Sequence, residues 1–184
     1  SLTDRDGWLL IALGSCLILF NPDTKSREDL AGSALTGWPD VRYNDGRSDP
    51  CGAFWIGSMG NNVGPQGEAL PAKDGKGTLY RYRHGTGLEV FETGIGISNT
   101  LCWAPDRSKF YFGDTLKNEI RVYPFDADTG DIGDGKPFFS GFERGLPDGS
   151  AMDADGFLWN CRYGGGCIVR VAPTGEIDRV IDMP

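Results

Sequence analysis

Three short polar motifs carry the side chains best suited to chemistry: Arg42-Tyr43-Asn44-Asp45-Gly46, Ile97-Ser98-Asn99-Thr100 and Leu146-Pro147-Asp148-Gly149. Each stands 8 or 9 residues before a turn residue: 44 to 52, 99 to 108 and 148 to 156. If the chain repeats in that register, Asn44, Asn99 and Asp148 come to one end of the fold and face one another. Asparagine and aspartate offer hard oxygen ligands, which suit Ca²⁺, Mg²⁺ or Mn²⁺ and tolerate Zn²⁺. Taken singly, each motif is also an ordinary turn former: Asn-Asp-Gly and Pro-Asp-Gly both dominate tight turns. Only their repetition favours a site.

Other chemistry is closed off by the residues present. His84 is the only histidine and lies in the charged stretch Tyr80-Arg81-Tyr82-Arg83-His84. A histidine-rich zinc site cannot be built, and a Ser-His-Asp triad would need His84, while no serine has the nucleophile-elbow context. No phosphate-binding or dinucleotide glycine loop occurs. Cys161 and Cys167 lie close in sequence, but no second Cys/His pair completes a four-ligand set. What remains is a carboxylate base beside an oxygen-ligated metal.

The elements that must position these groups are short strands. The segments DRDGWLLIAL (4–13), DPCGAFWIGS (49–58), PDRSKFYFGD (105–114) and DADGFLWNCR (153–162) share an Asp-rich turn, a Gly or Ser, then an apolar and aromatic strand. Gly7, Gly52, Ser108 and Gly156 mark the register, spaced by 45, 56 and 48 residues. A second strand follows each, near 16–24, 77–86, 119–130 and 167–176, and a third near 88–93, 136–141 and 177–183. Antiparallel units of this length are the arithmetic of propeller blades, which stack because no blade buries both faces alone. The expectation is an all-β propeller sector with blade-like units near 1–43, 44–98, 99–147 and 148–184, the polar motifs lying in the loops between blades.

Bulk composition agrees. Glycine numbers 28, proline 11, and aromatics make up 11%, the make-up of short strands and tight turns. The net charge of −8 gives no electrostatic reason to seek nucleic acid or anionic lipid. Trp8–Phe20 holds 13 uncharged residues, short of the about 20 needed to span a bilayer, and two strands joined by a turn explain it better. Five scattered cysteines make a poor disulfide framework and suit free thiols in a reducing compartment, the cytoplasm.

RYNDGRSDPCGAFWIGSMG (42–60) resembles the hallmark segment of the gluconolactonase, regucalcin and luciferin-regenerating-enzyme family. ISNTLCWAPDRSKFYFGDT (97–115) is similar to that family's Ile-Ser-Asn-Gly-Leu segment, and LPDGSAMDADGFLWNCRYGGGCIVRVAPTG (146–175) to its Pro-Asp-Gly segment. The resemblance implies a six-bladed propeller, about four blades of it in this chain, with one divalent metal ion in the central channel. It implies that Asn99 ligates the metal and that Asp148 both ligates it and serves as general base. Arg42 and Asn44 match residues that contact substrate or the metal's water shell. The loop Gly60-Asn61-Asn62 falls where family members vary and shape the substrate pocket, with Asn61 a candidate contact. The implied activity is metal-dependent hydrolysis of a sugar lactone, an aldonolactone, to the sugar acid. The alternative is a non-catalytic Ca²⁺-binding, regulatory propeller of the regucalcin type. The chain departs from the pattern in two ways. The family's remaining ligand, a glutamate in an N-terminal Gly-Glu-Gly-Pro segment, has no counterpart here, and the family's C-terminal blades are missing too, so the chain reads as truncated at both ends. Thr100 stands where many members carry glycine.

Overall fold

A computed structural model describes residues 1–184. Fifteen strands and no helix form four antiparallel sheets in chain order. The first sheet has three strands, β1 (Leu9–Leu13), β2 (Cys16–Phe20) and β3 (Arg27–Asp29). The second holds β4 (Val41–Ser48), β5 (Phe54–Gly60), β6 (Gly77–Arg83) and β7 (Gly87–Ile95). The third holds β8 (Ser98–Trp103), β9 (Lys109–Asp114), β10 (Glu119–Pro124) and β11 (Lys136–Ser140). The fourth holds β12 (Leu146–Met152), β13 (Leu158–Tyr163), β14 (Cys167–Val171) and β15 (Ile177–Asp182). Each sheet is a sequential meander, so every connection is a hairpin or a short step to the next sheet. Four such sheets in succession are about four blades of a β-propeller.

Three hydrophobic clusters hold the blades, and each is an interface between neighbours. Leu17 and Leu35 meet Tyr43, Phe54, Ile56 and Tyr82 between the first and second blades. Trp55, Leu79 and Ile95 meet Leu101, Phe110, Phe112, Tyr123 and Phe125 between the second and third. Cys102, Tyr111, Ile120 and Phe139 meet Leu158, Cys167, Val169 and Val171 between the third and fourth. The period-2 alternation of strands explains the division: one face of each sheet turns to the preceding blade and the other to the following one.

The polar motifs do not lie in loops. They form the innermost strand of the second, third and fourth blades, β4, β8 and β12, which start at Val41, Ser98 and Leu146, three, one and two residues before the unit starts read at 44, 99 and 148. Their turn-like composition is accommodated by a bulge at the same place in each strand. Tyr43 pairs with Ser58 but Gly46 with Ile56; Asn99 pairs with Gly113 but Cys102 with Tyr111; Pro147 pairs with Arg162 but Ser150 with Asn160. One extra residue is thus inserted per inner strand, which bends it and re-aims its side chains. The register also refines the repeat. Thr100 is the bulge residue equivalent to Asn44 and Asp148, whereas Asn99 stands one position earlier, with Tyr43 and Pro147.

Two of the outer turns show why the register repeats. Asp49 accepts from the amides of Cys51 and Ala53 and from the Trp55 indole. Asp153 accepts from the amides of Asp155 and Phe157 and from the Trp159 indole, the same offsets of two, four and six residues. An Asp-capped turn thereby fixes the aromatic of the strand that follows it.

Candidate functional site

The starts of β4, β8 and β12 come together at one end of the propeller sector and are joined there by two hydrogen-bond chains. The first begins at Arg42. Its Nε and Nη2 donate to Asn62 Oδ1 at 3.2 and 2.9 Å, and its Nη1 donates to the Tyr43 carbonyl at 2.8 Å and to Asn44 Oδ1 at 3.1 Å. Every partner is a neutral oxygen, so the guanidinium charge at this mouth is uncompensated. Burial pushes its pKa down. Asn44 Nδ2 crosses to the next blade, donating to the Ser98 carbonyl at 2.9 Å and to Asn99 Oδ1 at 3.3 Å. Asn99 Nδ2 donates to Thr115 Oγ1 at 2.8 Å, and Thr115 donates to the Pro147 carbonyl at 2.7 Å on the fourth blade.

This chain fixes the orientation of the Asn99 amide. The single hydroxyl proton of Thr115 goes to Pro147, so toward Asn99 the hydroxyl can only accept. The amide nitrogen must face Thr115, and the oxygen is turned to Asn44. Asn99 is buried, 7% exposed, so this is the amide's settled arrangement and not a surface rotamer.

The second chain grips Asp148. Thr100 Oγ1 donates to the Asp148 carbonyl at 2.6 Å and lies 2.9 Å from Ser150 Oγ. Asn160 Nδ2 reaches Ser150 Oγ at 2.9 Å and the Asp148 carbonyl at 3.3 Å. Behind it, Arg162 Nη1 donates to Asn160 Oδ1 at 3.2 Å. Asp148's hydrogen bonds therefore run through its backbone, which leaves its half-buried carboxylate free to act on something else. Beside it, burial raises the pKa of Asp45, and the Asp148 charge adds to that rise, against the Gly46 amide and Arg47.

The expected site residues fall as follows. Arg42, Asn44 and Asn99 are directly linked; Asp148 is held beside them by its backbone, through Thr115 on the carbonyl of the preceding Pro147 and Thr100, the residue after Asn99, on its own carbonyl. Asn61 is near but engaged elsewhere: its Nδ2 donates to the Pro39 carbonyl at 2.9 Å and its Oδ1 accepts from the Val63 amide at 3.1 Å, which shapes the turn. The neighbouring Asn62 is the one that meets Arg42. Thr100, Thr115, Asn62 and Asn160 carry much of the geometry, yet none of them is among the site residues expected from the sequence: Thr100 and Asn62 lie within segments singled out above, and nothing in the sequence marks Thr115 or Asn160. Threonine and asparagine are too common in turns for type alone to single them out, though the 8-residue interval from Thr100 to Ser108 matches those of Asn44 and Asp148.

The donor set fits a hard divalent cation. An asparagine oxygen of fixed orientation and a carboxylate without a protein donor are oxygen ligands of the kind Ca²⁺ or Mg²⁺ takes. Two side chains do not complete a cage: no cluster of three His, Cys, Asp or Glu residues suited to a metal is formed.

A family described as SMP-30/gluconolactonase/LRE-like region matches residues 1–184. The 6-deoxy-6-sulfogluconolactonase of Pseudomonas putida is 32% identical over 183 residues, 98% of this chain and 59% of that protein. Human regucalcin is 30% identical over 145 residues, 78% of this chain and 47% of that protein. The crystal structure of a calcium-binding protein, regucalcin, from Agrobacterium tumefaciens superposes with a TM-score of 0.87 at 33% identity, over 99% of this chain and 59% of that one. The chain thus spans about half to three fifths of the relatives it matches. With the match running through all three inner-strand motifs and the blades that carry them, this chain belongs to the SMP-30/gluconolactonase/LRE-like family.

Proposed function

We propose that the protein hydrolyses a sugar lactone, an aldonolactone, to its sugar acid with the help of one divalent cation. The observation that carries this reading is the convergence of Arg42, Asn44, Asn99 and Asp148 at one end of the propeller sector, with the Asp148 carboxylate unengaged by the protein. Asn99 Oδ1 and the Asp148 carboxylate would hold the cation, together with a carboxylate that lies outside these residues. Bound there, a divalent cation supplies Lewis-acid polarisation of the ester group. Asp148 takes a proton from the attacking water at its carboxylate. Arg42, held to Asn62 and Asn44, and Asn44 itself bind sugar hydroxyls and offset the negative charge that develops on the carbonyl oxygen. A positioned base typically contributes about 10²–10⁴-fold, and that is ample for a lactone, which is already a reactive ester.

A second reading rests on one likeness: a structural relative at 33% identity is described as a calcium-binding protein. On that reading the same oxygens bind Ca²⁺ without turnover. The residues carrying both readings are the same, so the discriminating result is chemical. Asp148→Ala is expected to abolish proton release from aldonolactones, by at least about 10²-fold, while the strand signature in circular dichroism is unchanged. Turnover near that of the parent would remove Asp148 as the base. The five cysteines are all free, which suits a reducing compartment such as the cytoplasm. No helix is long and apolar enough to cross a membrane.

A further inference from the structure

Two threonines of the third blade grip the fourth blade on either side of one α-carbon. Thr115 donates to the carbonyl of Pro147 at 2.7 Å, and Thr100 donates to the carbonyl of Asp148 at 2.6 Å. These carbonyls belong to the two peptide groups that flank the Asp148 α-carbon, so the pair restrains both backbone torsions of that residue. The restraint is needed because Asp148 sits in a bulge, where the ladder between β12 and β13 skips from Pro147 to Ser150. Bulged residues lack the pairing that holds a regular strand.

Each threonine is itself fixed. Thr100 is fully buried and adopts φ 58°, a left-handed conformation that a β-branched residue rarely takes. Its side chain lies where Gly113 leaves room: a Cβ added there would come within 3.1 Å of the Thr100 Cβ. An unfavourable backbone conformation persists only where the surroundings over-determine it. Here they do, because the hydroxyl protons have one consistent order. Arg162 donates to the Asn160 oxygen, which turns the Asn160 amide nitrogen to Ser150. The hydroxyl of Thr100 has spent its proton on Asp148, so Ser150 donates to Thr100. Thr115 is 5% exposed and accepts from Asn99, so it orients the Asn99 amide while holding Pro147.

We propose that Thr100 and Thr115 are positioning residues that clamp Asp148, and that Thr115 couples its placement to that of Asn99. The catalytic part of this inference rests on the lactonase reading above; the clamp itself does not. The clamp acts between two blades, so the geometry of the site is tied to how the third blade seats against the fourth.

The test compares Thr100→Gly and Thr115→Val, which remove the hydroxyls, with Thr100→Ser and Thr115→Ser, which keep them. Thr100→Gly adds no bulk and suits the left-handed backbone, so it is the variant expected to fold. Amide hydrogen exchange over residues 146–152 is expected to rise at least about threefold in the hydroxyl-deleted variants, with strand β6 unchanged as the control for global folding. In the lactone assay Thr115→Val is expected to lose at least about tenfold in kcat with KM within about twofold, and Thr115→Ser to restore both. Exchange unchanged, kcat within about twofold of the parent, or serine variants as impaired as the deletions would each overturn the proposal. If neither this chain nor a version extended to the length of its relatives turns over an aldonolactone, the lactonase reading fails, and the exchange comparison decides the clamp by itself.

Discussion

At the residue scale, the carboxylates divide by what surrounds them. Asp153 closes an outer turn: burial works against its ionisation, but hydrogen bonds from the Arg170 guanidinium, the Trp159 indole and the Phe157 amide outweigh that and hold it at about 2. A depressed carboxyl contributes stability that is fully present above its unfolded value, near 4, and is lost as pH falls through its folded value. Asp153→Asn is therefore expected to lower the thermal midpoint at pH 6 and to narrow its gap from the parent between about pH 4 and 2, followed by thermal unfolding; a gap of constant size would show that the charge contributes nothing. The cysteines divide in the same way. Cys102 is 1% exposed, and burial pushes its thiol up to about 11 despite Arg47. Alkylation of the native protein at pH 7.5 is expected to spare Cys102 and Cys167, both buried, and to label the exposed Cys161, as mass spectrometry of the digested protein would show. Asp148 is legible in the sequence by type and spacing. The residues that hold it are not, because a threonine's role here depends on which carbonyl it reaches across a blade boundary.

At the element scale, the strands of the apolar register are legible because each follows an Asp-rich turn and ends in small or polar residues. β4, β8 and β12 are not. Val41–Ser48 reads VRYNDGRS and Leu146–Met152 reads LPDGSAM, sequences rich in turn formers with no apolar alternation. They are strands because the inner edge of a blade is held by its neighbours across the blade boundary, and the surplus turn residue is absorbed in a bulge. The close fit of β8 against β5 of the preceding blade makes glycine at position 57 a requirement. A Cβ there would lie 1.8 Å from Ser98 Oγ and 2.2 Å from Ser98 Cβ. Ser98 is fully buried at the start of β8 and has nowhere to go. Gly57→Ala is expected to cost about 1–3 kcal/mol by overpacking, a fall of roughly 2–4 °C in Tm per kcal/mol for a chain of this size. An unchanged Tm would mean that β5 and β8 slide past each other freely.

At the scale of the whole molecule, stability and function share the blade boundaries. The fold has three cores in place of one, and each is completed only by the next blade, as repeat architectures require. Trp55 is the largest fully buried side chain and packs 5.1 Å from Phe110, ring centre to ring centre, across the second boundary. Trp55→Ala is expected to cost about 3–5 kcal/mol, measured by denaturant unfolding, and to disturb lactone turnover as well, since the same boundary carries the contact from Asn44 to Asn99. Repetition makes the blades legible in the amino-acid sequence; the way inner edges meet around a common end is a property of the assembled sector, which no single repeat spells out. The central claim is that this end hydrolyses aldonolactones with a divalent cation. Proton release from a panel of aldonolactones, followed with and without chelator on this chain and on a version extended to the length of its relatives, tests it most directly. Hydrolysis that chelator abolishes and added divalent cation restores is the predicted result. Divalent-cation binding with no hydrolysis of any lactone would contradict it and leave a binding protein in its place.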